Sequence, residues 1–538
     1  MSSQNALLSL FISLAVLETL AAARLPGLRS TAELNNSLTY LWPLPTSFSH
    51  GVGILSIDPD LDLNDEGDGG ESSIVQEAFQ RYKEIIFNHR CVKRDRYDVT
   101  RLTISVESDD ETLQLGVDES YMLFVASDEV RSVIQGITIE AKTVYGALRG
   151  LETFSQLCNF NHRTKTVEVH KAPWVIQDKP RFAFRGLLID TSRHYLPVNT
   201  IKQVIESMSY AKLNVLHWHI IDEESFPLEI PSYPDLWNGS YTKRERFTIE
   251  DASEIVDFAK KRGINIMPEI DVPGHAESWG AGYPDLWPSP TCREPLDVTK
   301  SFTFEVISGI LSDMRNIFPF ELFHLGGDEV HTDCWNSTSH VKQWLLDHNM
   351  TAEEAYQYFV LRTQKIAIHQ GRTPVNWEET FNTFKTWLNP QTVVHNWLGS
   401  GVCPKAVTQG FRCIVSNQGV WYLDHLDVPW QDFYNNEPLE GIKDVSQQPL
   451  VLGGEVCMWG ETADASNVMQ TIWPRAAAAA ERLWSAREAT STGNINETVL
   501  PRLEYFRCLL HQRGVPAAPV TNFYARRPPI GPGSCYLQ

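Results

Sequence analysis

From residue 181 onward, short apolar runs typical of strands alternate with longer runs of helical periodicity. Eight strand-like runs occur, at Arg185–Asp190, Leu213–Ile221, Ile264–Ile270, Phe320–Leu325, Thr373–Trp377, Thr392–Trp397, Arg412–Ser416 and Leu450–Met458. Helical patterns separate the first five, at Asn199–Lys212, Ile249–Arg262, Phe302–Ile317 and Ala352–His369. Alternation of this kind with eight strands predicts a (β/α)8 barrel, or TIM barrel, over residues 181–538.

The chain before the barrel predicts a smaller α/β domain over residues 24–180. Val99–Val106 and Ser120–Val125 are strand-like, and Ala141–Leu157 has the apolar stripe of an amphipathic helix. No catalytic arrangement of side chains is found in this part, so a supporting role is expected. The predicted fold class is therefore α/β, with a C-terminal TIM barrel preceded by a smaller α/β domain.

Residues 1–23 have the pattern of a signal peptide. Ala6–Leu20 is an apolar run too short to cross a bilayer, and three alanines, Ala21 to Ala23, form a cleavage site of small residues. No later run reaches membrane-spanning length, so no membrane span is expected. Entry into the secretory pathway leaves two destinations open, the vacuole and the extracellular space.

Charge and sequons describe the expected surroundings. The net charge of −21 repels phosphate backbones, so nucleic acid is not expected as a partner. In a secreted chain, Asn-x-Ser/Thr sequons predict glycosylation, here at Asn35, Asn238, Asn336, Asn349 and Asn496.

Ionisable and indole side chains follow every predicted barrel strand. In strand order they are Arg193; Asp222 and Glu223; Asp271 and His275; Asp328 and Glu329; Trp377 and Glu378; Trp397; Trp421, Tyr422 and Asp424; and Trp459 and Glu461. The carboxyl ends of barrel strands form one face, so these groups are expected to share one pocket. Carboxylates, one arginine and several indoles suit a neutral sugar.

The dipeptide Asp328-Glu329 follows two glycines at the end of the fourth run. An isolated Asp-Glu pair normally marks a solvated turn, but its place in this cluster favours a catalytic role. Hydrolysis of a glycosidic bond needs a carboxylic acid to protonate the leaving oxygen and a partner that stabilises positive charge. Because adjacent side chains diverge, only Glu329 is expected to touch the glycosidic oxygen.

A metal site is the competing interpretation. His217 and His219 lie on one side of a predicted strand, but no third ligand is spaced to match. We therefore expect hydrogen-bonded packing for these histidines, and neither a metal nor another cofactor. Cys413 and Cys457 fall inside predicted strands and are interpreted as small core residues.

Three segments carry a family resemblance: His324–Val330 (HLGGDEV), Asp190–Pro197 (DTSRHYLP) and Glu455–Glu461 (EVCMWGE). Together they resemble family 20 β-N-acetylhexosaminidases of the plant vacuolar or secreted type, and the resemblance covers nearly the whole mature chain. It implies exo-acting release of terminal β-linked GlcNAc or GalNAc from glycoconjugates or chito-oligosaccharides. It also implies a retaining, substrate-assisted mechanism, a carbohydrate as the partner, and a homodimer.

The resemblance implies a role for each site residue. Glu329 is the general acid and then the base, and Asp328 binds the acetamido N–H of a substrate whose own carbonyl is the nucleophile. The remaining roles concern substrate binding: Tyr422 donates to the acetamido oxygen; Trp377, Trp397 and Trp459 enclose the methyl group and ring; Arg193, oriented by Asp222, holds the 3- and 4-hydroxyls; Asp424 and Glu461 take the outer hydroxyls; and Asp271 and His275 stand behind Glu329.

The same resemblance implies disulfides and a specificity. The implied pairs are Cys91–Cys158, Cys292–Cys334 and Cys508–Cys535, which leaves Cys403, Cys413 and Cys457. Family members that accept negatively charged sugars have an Asn-Arg pair where this chain has Asp424-His425. A carboxylate there repels a 6-sulfate, so a preference for neutral terminal sugars is expected.

Two alternatives stay open. One is a retaining glycosidase that uses an enzyme nucleophile on the same barrel, which would cleave aryl glucosides that lack an acetamido group. The other is a non-catalytic sugar-binding protein, which would release no product above the level of a Glu329→Gln variant.

Overall fold

A computed structural model describes residues 38–125, 136–491 and 493–520. The predicted signal peptide and Asn35 lie outside these residues. The described chain forms two sheets, one of six strands and one closed into a barrel.

The six-stranded sheet belongs to the smaller α/β domain. Its strands are β1 (Ser47–Glu66), β2 (Val99–Val106), β3 (Tyr121–Val125), β4 (Ile137–Ala141), β5 (Cys158–Asn161) and β6 (Thr166–Asp178), in the order β1-β2-β4-β3-β6-β5, with β1 also paired to β6. Two helices, Ser73–Ile86 and Val144–Leu157, share its apolar core. The sequence analysis identified β2, β3 and the second helix but not the other elements. In β1 it missed buried Leu55, Ile57 and Leu61 because acidic residues interrupt them.

The second sheet is the predicted TIM barrel. Its strands are β7 (Phe184–Asp190), β8 (Val215–Ile221), β9 (Asn265–Ile270), β10 (Leu322–His324), β11 (Thr373–Trp377), β12 (Val393–Asn396), β13 (Arg412–Val415) and β14 (Val451–Met458). Each strand pairs in parallel with the next, and β14 pairs with β7 to close the barrel. Each of the eight predicted runs contains one strand, so the fold class is confirmed.

Helices cover the outside of the barrel. The longer ones are Val198–Tyr210, Ile249–Lys260, Ser301–Ile317, Ala352–His369, Arg475–Trp484 and Leu500–Gln512. Shorter helices lie at Asp333–Ser337, Ser339–Asp347, Glu378–Phe384, Val402–Thr408, Gln418–Trp421, Trp430–Asn435, Val468–Ile472, Arg487–Thr490 and Ile495–Thr498, with 3₁₀ turns at Pro234–Gly239, Glu277–Ala281, Pro284–Leu286, Lys385–Trp387 and Val445–Leu450. Thr248 with Asp251, and Thr351 with Glu354, form capping boxes that satisfy the first backbone N–H groups of two helices.

The barrel interior changes character along its axis. Near the amino ends of the strands it is an apolar plug, built from Phe184, Val215, Met267, Phe320, Leu322, Val375, Val393 and Ile414. Two residues further along, strands β8 to β13 place His217, Glu269, His324, Trp377, His395 and Ser416, all buried. Because side chains two apart on a strand share a face, both layers point inward. The polar layer forms the floor beneath the loops that follow the strands.

A buried ion network joins the smaller domain to the barrel. Glu119 accepts hydrogen bonds from Arg185 Nη2 at 2.7 and 2.8 Å and from Arg149 Nε at 2.8 Å. Burial alone would raise the pKa of Glu119, but the two guanidinium groups hold it below its usual value. Arg185 is the second residue of the first barrel strand, so this carboxylate anchors the domain to the barrel wall.

The cysteines depart in part from the expectation. Cys292–Cys334 is a disulfide, as predicted. Cys403 and Cys413 also form a disulfide, so the interpretation of Cys413 as a core thiol is wrong; the helix before β13 brings the two Cα atoms within 5.6 Å. Cys457 is a buried thiol, as expected.

The predicted Cys91–Cys158 pair is not formed. Both residues are thiols, and each S–H donates to a nearby backbone carbonyl, that of His89 at 3.7 Å and that of Phe154 at 3.3 Å. Cys508 is disulfide-bonded, and its predicted partner Cys535 lies outside the described residues.

The predicted sequons within the described residues lie on the surface. Asn238, Asn336, Asn349 and Asn496 are all exposed. Within the described ranges, no helix combines the length and the apolar character that a bilayer crossing requires.

Candidate active site

The loop after β10 carries the Asp328-Glu329 pair in a constrained conformation. Gly326, Gly327 and Glu329 all have positive φ, of 60°, 95° and 48°. A Cβ at position 326 would lie 1.9 Å from a carboxyl oxygen of Asp271, so glycine is required for that carboxyl to approach. Asp271 in turn accepts the N–H of Gly327 at 2.8 Å. The Tyr356 hydroxyl donates to the carbonyl of Gly327 on the other side.

Asp271 and Asp328 form a carboxyl–carboxylate pair. Burial raises the pKa of both groups, and the charge of Asp328 raises the pKa of Asp271 further. Asp271, fully enclosed, therefore keeps a proton and donates it to Asp328. Oδ1 of Asp328 is buried and has no hydrogen-bond partner among the described residues. The side chain keeps 12% of its surface exposed, so the oxygen open to the mouth is Oδ2, which faces His275.

His275 connects this pair to the neighbouring loops. Its Nδ1 donates to Asp222 Oδ1 at 3.0 Å, and its Nε2 lies 3.6 Å from Glu329 Oε2 and 3.8 Å from Asp328 Oδ2. Burial alone would lower the pKa of His275, but these carboxylates raise it well above its usual range. The ring is therefore an imidazolium. The Glu329 side chain is half exposed, and its interaction with His275 lowers its pKa despite an opposing effect of burial.

Arg193 is held by three carboxylates. It contacts Asp222 at 2.9 Å, Glu224 at 3.0 Å and Asp190 at 3.2 Å. Burial alone would lower the pKa of Arg193, but these charges raise it above its usual value. The guanidinium lies over the Trp459 ring, 5.4 Å from its centroid. Its position is fixed before any ligand arrives.

Four aromatic rings form one wall of the site. The centroids of Trp377 and Trp459 are 5.9 Å apart, and those of Tyr422 and Trp459 are 6.2 Å apart. Trp397 stacks against Tyr422 with an interplanar angle of 15°. Burial raises the pKa of Tyr422 well above its usual value, so its hydroxyl stays protonated and can donate.

Two adjacent carboxylates, Glu378 and Glu379, hold Trp397. Glu378 Oε2 accepts the backbone N–H of Trp397 at 2.8 Å, and Glu379 accepts its indole N–H at 2.9 and 3.0 Å. Burial raises the pKa of Glu379 to about 8, with a further contribution from Asp328. The first turn of the helix Glu378–Phe384 therefore fixes both the backbone and the indole of Trp397.

Asp424 and Glu461 lie at the outer edge. Asp424 is partly buried, and burial raises its pKa to about 6, opposed by the nearby His425. Glu461 is exposed and close enough to Arg193 and Asp424 to influence the pKa of each. The structure thus gathers the residues for which the resemblance implied catalytic or substrate-binding roles around one mouth, linked through Arg193, His275 and the aromatic wall. The expectation that Trp421 shares this pocket is wrong, because Trp421 is fully buried and its indole N–H donates to the Phe433 carbonyl.

Two family models match this chain. The model for glycosyl hydrolase family 20, catalytic domain, matches residues 182–487, and a model described as beta-acetyl hexosaminidase like matches residues 41–157. The chain belongs to glycosyl hydrolase family 20. It is therefore a glycoside hydrolase, and the family predicted from its motifs is confirmed.

Members of family 20 from distant organisms resemble the whole chain. Beta-hexosaminidase 1 of Arabidopsis thaliana is 66% identical over 99% of both chains. The beta subunit of the Mus musculus beta-hexosaminidase is 35% identical over 90% of this chain and 92% of its own. The crystal structure of a Flavobacterium johnsoniae chitobiase matches with a TM-score of 0.77 and 28% identity, over 90% of this chain and 74% of that one.

In this family 20 chain, other side chains that could bind a metal lie close to the two histidines of β8. The expectation that no third ligand matches these histidines is wrong, because other strands bring Glu269, His324, His395 and Glu455 to His217, and Glu269 also to His219. His217 Nδ1 forms a hydrogen bond with Glu455 at 2.8 Å, and its Nε2 lies 3.0 Å from Glu269. His217 Nε2 and Glu455 Oε2 have no hydrogen-bond partner among the described residues.

Several residues around the family 20 site were not identified as site residues from the sequence. They are Asp190, Glu224, Glu269 and Glu379, together with Glu455 in the buried layer beneath the site. A carboxylate inside an apolar run, as in Met267–Ile270, is a usable signal, because a buried charge needs a partner. Glu224 in a loop and Glu379 in the first turn of a short helix carry no such signal, since neither is flanked by an apolar run.

Proposed function

We propose that this family 20 enzyme is an exo-acting β-N-acetylhexosaminidase that removes terminal β-linked GlcNAc or GalNAc by a retaining, substrate-assisted mechanism. The supporting observation is the pairing of one half-exposed carboxyl, Glu329, with an aspartate pair that leaves one oxygen of Asp328 open to the mouth. The names of the plant and animal relatives agree with this activity.

Glu329 is the proton donor in this proposal. In the free protein its carboxylate faces the imidazolium of His275 at 3.6 Å. A sugar that covers the half-exposed carboxyl removes water from it and raises its pKa, so that it can hold the proton it gives to the leaving oxygen. After the aglycone departs, the same group accepts a proton from the attacking water.

Asp328 serves the nucleophile rather than the leaving group. The carbonyl oxygen of the substrate's 2-acetamido group attacks the anomeric carbon as the bond to the leaving oxygen breaks, which yields an oxazolinium ion. Asp328 Oδ2, the oxygen open to the mouth, accepts the acetamido N–H, and the carboxylate stabilises the positive charge. The hydrogen bond between Asp271 and Asp328 fixes the orientation of this carboxylate.

The aromatic wall and Arg193 position the sugar. The Tyr422 hydroxyl donates to the acetamido oxygen, and Trp377, Trp397 and Trp459 enclose its methyl group and the apolar ring face. Arg193, already oriented by Asp222, donates to the 3- and 4-hydroxyls. Asp424 and Glu461 accept from the outermost hydroxyls.

An enzyme nucleophile is the competing mechanism, and a substrate comparison tests it. Fluorogenic aryl β-GlcNAc and aryl β-glucoside are assayed with the wild-type chain and the Glu329→Gln variant. Substrate assistance gives turnover of the acetamido sugar and negligible turnover of the glucoside. Efficient cleavage of the glucoside would contradict it, and no release above the variant would leave only a sugar-binding protein.

We also propose that the protein is a secreted or vacuolar glycoprotein. Support comes from the signal-peptide pattern and from four exposed sequon asparagines. N-terminal sequencing that begins before residue 24, or a mass unchanged by glycosidase treatment, would contradict it. Analytical ultracentrifugation tests the homodimer that the family resemblance implies.

A further inference from the structure

One buried carboxylate in the barrel, that of Glu269 on β9, contacts four side chains at once. Its Oε2 lies 2.5 Å from His219 Nδ1 and 3.0 Å from His217 Nε2. Its Oε1 lies 2.7 Å from His324 Nδ1 and 2.9 Å from Trp377 Nε1. His219 donates a hydrogen bond to Oε2 and the Trp377 indole N–H donates one to Oε1, while His217 and His324 approach the same two oxygens.

The first connection runs from Glu269 to the aromatic wall. Trp377 is fully buried and its only hydrogen-bonding group is the indole N–H. Glu269 accepts that N–H, while His395 stacks on the ring at 4.3 Å between centroids. The hydrogen bond to Glu269 and the stacking on His395 thus fix the orientation of the Trp377 ring, which faces Trp459.

The second connection runs from Glu269 to Arg193. Both nitrogens of His219 face carboxylates, Glu269 at 2.5 Å and Asp222 at 2.7 Å. Both nitrogens therefore carry protons, and the imidazolium passes the charge of Glu269 on to Asp222. Asp222 in turn holds Arg193 at 2.9 Å and His275 at 3.0 Å.

We propose that Glu269 is a positioning residue for the reaction. It fixes the distance between Trp377, in the wall that binds the acetamido group, and Arg193, which binds the sugar hydroxyls. The inference rests on the proposed function of the site and adds a residue that does not itself touch the sugar. Its two connections meet the substrate at opposite ends, at Trp377 and at Arg193. A shift in either reduces alignment of the acetamido oxygen with the anomeric carbon.

Glu455 is the matched control. It is as fully buried as Glu269 and belongs to the same cluster. It accepts from His217 at 2.8 Å but contacts neither Trp377 nor His219 within the described chain. Replacing it perturbs the buried charge without cutting either connection.

The first experiment compares Glu269→Gln with Glu455→Gln in the full chain. Glutamine keeps one acceptor oxygen and turns an NH₂ toward either Trp377 or His219, so the Glu269 change breaks at least one of these two hydrogen bonds. We expect kcat/KM on aryl β-GlcNAc to fall about 10- to 100-fold in Glu269→Gln, with an effect at least tenfold smaller in Glu455→Gln. Equal losses in the two variants, or wild-type kinetics in Glu269→Gln, would overturn the proposal.

A second experiment stands even if Glu269→Gln fails to fold. Trp377→Phe and His219→Gln each remove one group bonded to Glu269, and the two residues share that carboxylate. In a double-mutant cycle on kcat/KM, we expect the combined loss to differ from the product of the single losses by threefold or more. Independent, multiplicative losses would show that no shared carboxylate links the two ends.

Two controls separate this proposal from its premises. Wild-type turnover is measured first, because its absence would count against the proposed function. If turnover is absent, the variants are ranked by their affinity for free N-acetylglucosamine, read from tryptophan fluorescence. Elemental analysis of the purified wild-type chain is expected to find no stoichiometric metal. A retained metal would make Glu269 a ligand and overturn the positioning role.

Discussion

The two halves of the barrel interior are built from the same strands but have different roles. At the amino ends, residues such as Val215, Leu322 and Val393 form an apolar plug. Two positions further, the same three strands carry His217, His324 and His395, equally buried. The plug needs no partners, whereas each group of the upper layer depends on a specific hydrogen bond.

The difference teaches where stability and function are placed. Burial of the plug favours folding without directing any chemistry, and its residues can exchange for others of similar volume. The upper layer gives a rigid polar floor, on which Trp377 and Asp222 are fixed by bonds from below. Changes in the lower half are therefore expected to alter stability, and changes in the upper half and mouth to alter catalysis.

The largest effect is expected from Glu329→Gln. The amide cannot supply the proton for the leaving oxygen, so kcat should fall by about 1,000-fold or more. Since the side chain is half exposed, the melting temperature should stay close to that of the wild type. Steady-state kinetics and thermal unfolding measure both, with exposed Glu353→Gln as the control. A comparable loss of kcat in the Glu353→Gln control would contradict the assignment of the catalytic acid to Glu329.

Leu322→Ala tests the apolar half. Removing a fully buried leucine leaves a cavity, so the free energy of unfolding should fall by about 2–5 kcal/mol. The kcat of the molecules that remain folded should stay within twofold of wild type. Denaturant unfolding and kinetics at low temperature test the two statements. A tenfold loss of kcat without a loss of stability would erase the boundary between the halves.

A pH effect on stability is expected from Glu379. Its pKa rises from the ordinary value near 4.5 to about 8 on folding, so the folded state binds the extra proton between these values. The associated stability is complete below about pH 4.5 and is lost as pH rises to about 8, at up to about 1.4 kcal/mol per unit. Glu379→Gln should flatten this slope in unfolding curves measured from pH 4.5 to 8. An unchanged slope would assign the pH dependence to other groups.

The smallest effect concerns Asp424 at the rim. Because its pKa is about 6, its negative charge grows as pH rises through that value. Turnover of a 6-sulfated aryl GlcNAc, relative to the neutral sugar, should therefore fall by about fivefold between pH 5 and 7. Asp424→Asn should remove the pH dependence of this ratio. Comparable wild-type turnover of both sugars at pH 7 would contradict the charge argument.

The sequence predicted the barrel because each strand is an apolar run that ends in polar residues. The same rule found Asp328, Glu329 and the aromatic wall, since strand ends share one face. It did not find Glu269, whose single charge inside Met267–Ile270 gives no direction until other strands supply its partners. Nor could it pair Cys403 with Cys413, because that distance depends on how the preceding helix packs. Features encoded by a local sequence pattern were therefore predictable, whereas contacts between side chains of different strands and helices were not.

The ion network of Glu119 has a practical consequence for shortening this enzyme. A barrel expressed without the smaller domain would keep Arg185, which has no exposed surface in the whole chain, but would lose the carboxylate that neutralises it. An orphaned interior cation destabilises a protein by about 3–5 kcal/mol. A minimal catalytic fragment would therefore need Arg185 redesigned together with the new surface, rather than a simple cut at the linker.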